Sequence, residues 1–160
     1  TDMHSMFYDC HKLCTLDLSN FDTSMVTDMR NMFCECSRLK TIDLSRFNTS
    51  KVTDMNEMFS LCKNLQTLDL SNFNTSNVTT MECMFHGCKR LRTLDLSSFD
   101  TSNVKDMDKM FTYWRGLLCY LVSHGYAKHL RERDTLKVPR FFYVRMSVIG
   151  TMEYAEKPNK

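Results

Sequence analysis

The segment LDLSNFDTSMVTDMRNMF, residues 16–33, returns as IDLSRFNTSKVTDMNEMF at 42–59, LDLSNFNTSNVTTMECMF at 68–85 and LDLSSFDTSNVKDMDKMF at 94–111. The register advances by 26 residues each time, as Phe21, Phe47, Phe73 and Phe99 show. The opening DMHSMFYDC is the second half of an earlier unit, with Met3, Met6 and Phe7 in register. The chain therefore starts inside a repeat, and we read it as a piece of a longer product. A unit this short cannot bury its own apolar side chains. Stacked neighbours can, and a fixed period of this length marks a repeat architecture.

Each unit divides into two parts. The first carries L-x-x-L-x-L, as Leu39, Ile42 and Leu44, and again as Leu65, Leu68 and Leu70. Thr41-Ile42-Asp43-Leu44-Ser45 alternates polar and apolar residues, the period of a half-buried strand. The second part carries Val26, Met29, Met32, Phe33, Cys36 and Leu39 at steps of three and four. That spacing predicts a short helix. Ser24 or Thr27 can cap it, and Asp28, repeated as Asp54 and Asp106, sits where a helix dipole favours an acid. The NTSK stretch after Phe47 is turn material. The expected fold is an α/β solenoid of leucine-rich-repeat type. One parallel sheet would face short helices, over roughly five rungs.

The repeat covers residues 1–123, with 112–123 as a degenerate last rung in which Trp114 replaces the recurring Cys. Residues 124–160 carry no repeat. Phe142, Val144, Met146 and Val148 alternate, which suggests a strand. Terminal rungs need a polar cover, so 124–160 is read as a C-terminal cap. The alternative is an unrelated tail that packs poorly. The last residues, EYAEKPNK, are expected to be disordered.

The long motif LDLSxFxTSxVTDMxxMFxxCxxL resembles the BspA-like leucine-rich-repeat surface proteins, in the form found in mycoplasmas and Gram-positive bacteria. The resemblance spans residues 1–123. It departs from the usual template where Phe21, Phe47, Phe73 and Phe99 stand in the Asn or Cys slot, so a Phe stack would replace the Asn ladder. The resemblance implies a cell-surface or secreted protein that serves adhesion or partner binding, with a protein or host-surface molecule as ligand. A second reading is a structural spacer within a larger surface protein, with no ligand of its own.

Within that frame the exposed strand positions are the candidate binding face. They are Thr15, Asp17 and Ser19, then Thr41, Asp43 and Ser45, then Thr67, Asp69 and Ser71, then Thr93, Asp95 and Ser97. Four carboxylates aligned at a rung spacing of about 4.8 Å should repel one another. Compensation is then expected from Lys40, Arg92, a cation or a basic partner. Changing Asp43 and Asp69 to Asn is expected to raise stability slightly and to weaken partner binding.

Other chemistry finds little support. Cys10, Cys36, Cys62 and Cys88 share one register, which suits small buried residues better than a tetrahedral zinc site. Cys34 falls about 140° and Cys83 about 160° from the apolar centre of a helical wheel, so both are expected in solvent. Cys14, Cys119 and His11 have no matching second set of ligands. The paired methionines could attract copper through their thioethers, but their spacing is that of a core. Asn48, Asn74 and Asn77 match glycosylation sequons, and turn chemistry is the favoured reading. The histidines are irregularly placed, and no nucleophile elbow or phosphate-binding Gly-rich loop occurs. We therefore expect no enzyme, no cofactor and no metal.

Charge excludes further classes. Residues 1–123 hold 13 Lys and Arg against 15 Asp and Glu, and residues 124–160 hold 8 against 4. Neither part has the basic density of a nucleic-acid binder, and no apolar run approaches transmembrane length.

Overall fold

A computed structural model of the chain describes residues 2–92 and 94–113. The rungs stack in register along the repeat. Parallel bridges join Asp2 to Asp28, Asp28 to Asp54, Asp54 to Thr80 and Thr80 to Asp106. These bridges are isolated. The described residues contain no helix and no multi-residue strand. The expected α/β solenoid, with a parallel sheet and helices on its other side, is therefore corrected to a stack of turns.

The hydrogen bonding shows why no helix forms. In the second rung the amides of Met29, Asn31, Phe33 and Glu35 donate to the carbonyls of Asp54, Asn56, Met58 and Ser60, at 2.8–3.1 Å. The intervening amides of Met32, Cys34 and Cys36 donate three residues back, to Met29, Asn31 and Phe33. Half of the donors thus leave the rung, whereas a helix keeps them all and reaches four residues back. The third rung repeats the pattern from Met55, Glu57, Phe59 and Leu61, and the fourth from Met81, Cys83, Phe85 and Gly87.

Left-handed backbone makes this alternation possible. Positive φ recurs at Ser5, Asn31, Glu57, Cys83 and Lys109, and four residues later at Asp9, Glu35, Leu61, Gly87 and Tyr113. For residues with a side chain this conformation costs roughly 1–2 kcal/mol each. The exported amide bonds offset it. Gly87 is the exception without a side chain: a Cβ there would lie 2.7 Å from Leu61 Cδ2, so that side-chain end would have to shift.

The spacing of apolar residues predicted the core better than it predicted the backbone. Met29, Met32, Phe33, Cys36 and Leu39 are completely buried, as are Met55, Met58, Phe59, Cys62 and Leu65 in the next rung. Each such large side chain contributes about 1.5–3 kcal/mol by leaving water. Phe7, Phe33, Phe59, Phe85 and Phe111 form one column of near-parallel rings, with successive centroids 5.5–5.9 Å apart. This is a different column from the one expected at Phe21, Phe47, Phe73 and Phe99. There, Phe47 and Phe73 are buried, while Phe21 and Phe99 are only half-buried.

Threonine supplies the polar ladder that sequence reading missed. Thr23, Thr49 and Thr75 are each 1% exposed. The Thr49 hydroxyl donates to the Asn74 carbonyl at 3.0 Å and accepts the Asn74 amide at 2.8 Å. Thr23 brackets Asn48 in the same way, and Thr75 donates to the Asp100 carbonyl. The Cys register adds a second ladder. Cys36, Cys62 and Cys88 donate their S–H to the carbonyls of Phe7, Phe33 and Phe59, at 3.1–3.2 Å.

The alternating segment keeps its burial pattern without becoming a sheet. Leu44 is buried, Ile42 half-buried, and Thr41, Asp43 and Ser45 are exposed. Backbone contact between rungs here runs through Gln66 N to Lys40 O at 2.9 Å and Arg92 N to Gln66 O at 3.3 Å. Side chains satisfy other groups, as where Asn72 Nδ2 donates to the carbonyls of Leu44 and Phe47. The cap or tail at 124–160, the strand read at Phe142–Val148, Cys119, Trp114 and the rung from 114 onward lie outside the described residues.

Candidate functional site

The candidate face stands on short turns. Asp17 Oδ1 accepts the Ser19 amide at 2.9 Å. Asp43 accepts Ser45, Asp69 accepts Ser71 and Asp95 accepts Ser97, each also at 2.9 Å. Asp-x-Ser is an Asx turn, in which the carboxylate mimics a backbone acceptor. It bends the chain immediately after each alternating segment.

These turns fix where the side chains sit. Thr15, Asp17, Ser19, Thr41, Asp43, Ser45, Thr67, Asp69, Ser71, Asp95 and Ser97 are all exposed. Thr93 lies outside the described residues. The rung stacking places equivalent residues in parallel rows, with one oxygen of each carboxylate engaged inside its own rung.

Electrostatics correct the expectation of dominant repulsion. The Ser45 amide and hydroxyl hold the Asp43 carboxyl below its usual range. Bonds from Ser19 and Ser71 do the same for Asp17 and Asp69. Neighbouring carboxylates push the other way, Asp43 on Asp17 and Asp95 and Asp43 on Asp69, but with smaller effect. Neutralising Asp43 or Asp69 thus weakens a charge-assisted bond, which opposes the stabilisation expected from the sequence. The ion pairs among the described residues are His11–Asp9, Arg30–Asp28 and Lys109–Asp108. Lys40 and Arg92, the expected compensating cations, take no part in them.

Asx turns recur at two other points of each rung. Asp22, Asn48, Asn74 and Asp100 accept the amides of Ser24, Ser50, Ser76 and Ser102. Asp28, Asp54 and Asp106 accept those of Arg30, Asn56 and Asp108. The sequence predicts the latter three aspartates as acids at helix starts. They instead sit at the parallel bridges and close a turn.

The opposite edge gathers more reactive residue types. Tyr8 Oη donates to Glu35 Oε1 at 3.5 Å, and the charge of Glu35 raises the phenol. Cys34 is only 2% exposed, not solvent-facing as expected, and its sulfur lies 3.9 Å from Glu57 Oε2. Burial first, and then the charges of Glu57 and Glu35, push this thiol up to about 12. Cys83, also expected in solvent, is half-buried and pushed up to about 11. The helical wheel failed here because the backbone is not helical. Burial likewise raises Cys36 to about 11 and Cys88 to about 12. Such thiols are protonated at neutral pH and are poor nucleophiles.

His86 packs edge-on against Tyr113 at 5.4 Å, and its buried Nδ1 has no partner. Desolvation lowers its basicity. Among the described residues, no three His, Cys, Asp or Glu side chains are grouped to hold a metal ion. Among the same residues, no helix is long and apolar enough to cross a membrane.

Neither the curated proteins nor the solved structures contain a match to this chain. A sequence family described as Mycoplasma protein of unknown function, DUF285, matches residues 1–117. The matched stretch contains all the repeats whose stacking is described above, and the chain belongs to that family.

Proposed function

We propose that the chain is a non-catalytic binding module of a BspA-like surface protein, which holds a protein or host-surface ligand on its Thr–Asp–Ser face. The observation that carries this reading is the pre-set geometry of that face. Its carboxylates project in a row and are anchored by Asx turns. Ordering them on binding costs little further entropy. The row presents the same exposed carboxylate once in each of four rungs.

The test is retention of labelled chain on a cultured epithelial monolayer, with Asp43→Asn/Asp69→Asn as the variant. Binding should weaken while circular dichroism stays the same. Equal retention of the two proteins sinks the reading.

One observation favours the spacer alternative. The same carboxylates are used inside the rungs, so turn formation alone accounts for their recurrence. A spacer would show no saturable retention at any concentration, for either protein.

A further inference from the structure

A second surface lies beside the aspartate row, and the register assembles it. Within 10–16, 36–42, 62–68 and 88–94 there is no Asp or Glu. The same stretches carry Lys12, Arg38, Lys40, Lys63, Lys89, Arg90 and Arg92, all exposed. Three bonds fix the alignment of the last three stretches: Gln66 N to Lys40 O, Arg92 N to Gln66 O, and Asn64 Nδ2 to Ser37 O at 2.6 Å. None of the seven cations joins an ion pair among the described residues. Seven of the 13 basic residues in 1–123 therefore form one acid-free strip along the stacking axis.

The borders of the strip select its partner. Asp9 and Glu35 flank one side. Asp17, Asp43, Asp69 and Asp95 flank the other. A flat anionic membrane or a nucleic-acid duplex would press its phosphates against both acidic borders. A single linear polyanion would not. Single-stranded nucleic acid gains much of its affinity from stacking on aromatic rings. The strip offers only the His11 ring, because the exposed aromatic residues Tyr8 and Tyr113 lie outside it. Its leucines Leu39, Leu65, Leu68, Leu91 and Leu94 are buried, and Leu13 and Leu16 are partly buried against the core, which leaves little apolar foothold for lipid.

We infer that this strip binds a linear sulfated polysaccharide, laid along the stacking axis with its sulfates on the Lys and Arg row. Affinity comes from counterion release, so it falls as salt rises. The inference does not depend on the Thr–Asp–Ser face having a ligand.

Fluorescence anisotropy of the full 160-residue chain tests it. The probes are a labelled heparin decasaccharide, its desulfated counterpart, an oligodeoxythymidine single strand and phosphatidylserine-containing vesicles. The sulfated probe should bind tightest. Arg38→Ser/Lys63→Ser/Arg90→Ser should lose about tenfold or more, and its log–log salt slope should fall by about 2. Arg46→Ser/Lys51→Ser/Lys105→Ser, which removes equal charge elsewhere, should stay within about twofold of the original protein. An Arg38→Lys/Arg90→Lys protein keeps the charge and should retain binding. Absence of binding, equal binding of the desulfated probe, tighter binding of the single strand or vesicles, or equal loss in the two triple variants each overturns the proposal.

Discussion

Replacing Thr49 by Val tests the threonine ladder while nearly preserving shape. Thr49 is 1% exposed. Its hydroxyl makes two bonds to one neighbouring residue, donating to Asn74 O at 3.0 Å and accepting from Asn74 N at 2.8 Å. Neutral bonds of this kind are worth about 0.5–1.5 kcal/mol each, and buried groups left unpaired cost more. The added methyl returns up to about 0.8 kcal/mol of apolar burial. The expected net loss is about 2 kcal/mol.

Thr49→Ser is the control, because it keeps the hydroxyl and loses one methyl, at about 1 kcal/mol. Urea unfolding followed by circular dichroism gives both values, and hydrogen exchange at the Asn74 amide reports the bond itself. That amide should lose about 30-fold of its protection in the Val protein. A Val protein as stable as the original, or a Ser protein less stable than the Val protein, refutes the assignment. Either result would mean that methyl packing, not hydrogen bonding, holds this row.

Among the described cysteines, native thiol labelling at pH 8 should mark Cys14 first, because it is exposed, with Cys10 and Cys83 intermediate. Cys34, Cys36, Cys62 and Cys88 should lag by about 100-fold or more, and a Cys34 rate matching Cys14 would contradict its burial beside Glu57. Acid should also destabilise the stack. The carboxyls of Asp17, Asp22, Asp43, Asp69 and Asp100 are held low by their Ser partners. The stability this contributes is complete above the unfolded value near 3.9 and drains away as pH falls through the lower folded values. Melting temperature should therefore drop below about pH 4, and less steeply for Asp43→Asn/Asp69→Asn. Parallel curves for the two proteins would rule this out.

The residues show where sequence reasoning reached and where it stopped. Met29, Met32, Phe33 and Cys36 announced their burial by spacing alone. The same spacing of three and four fits turns that bond three residues back, so it could not choose between turn and helix. Left-handed positions usually advertise themselves through Gly or Asn. Here Asn31 and Gly87 do so, but Glu57, Leu61, Cys83 and Lys109 occupy equivalent places without any such cue. The Asp-x-Ser turns and the recurring Thr of the D/N-T-S segment are legible, but their local bonding competes with surface repulsion and turn polarity, which the same residues suit equally. The cation strip was hidden because its cations spread over three registers, Lys12 with Arg38 and Arg90, Lys63 with Lys89, and Lys40 with Arg92, and because they vanish in a net-charge count.

One set of amides in each rung points toward the next, to acceptors 25 residues on, as Met29 to Asp54 and Met55 to Thr80, and another points back 26 residues, as Thr53 to Thr27 and Gln66 to Lys40. Met29, Met55 and Met81 are thus interchangeable parts. Excising or duplicating a whole 26-residue unit leaves every donor opposite an equivalent acceptor, and the new junction is indistinguishable from an old one. A cut one residue longer or shorter would put apolar side chains into solvent at the seam. A chain built this way can therefore change its length in whole-unit steps without a new core.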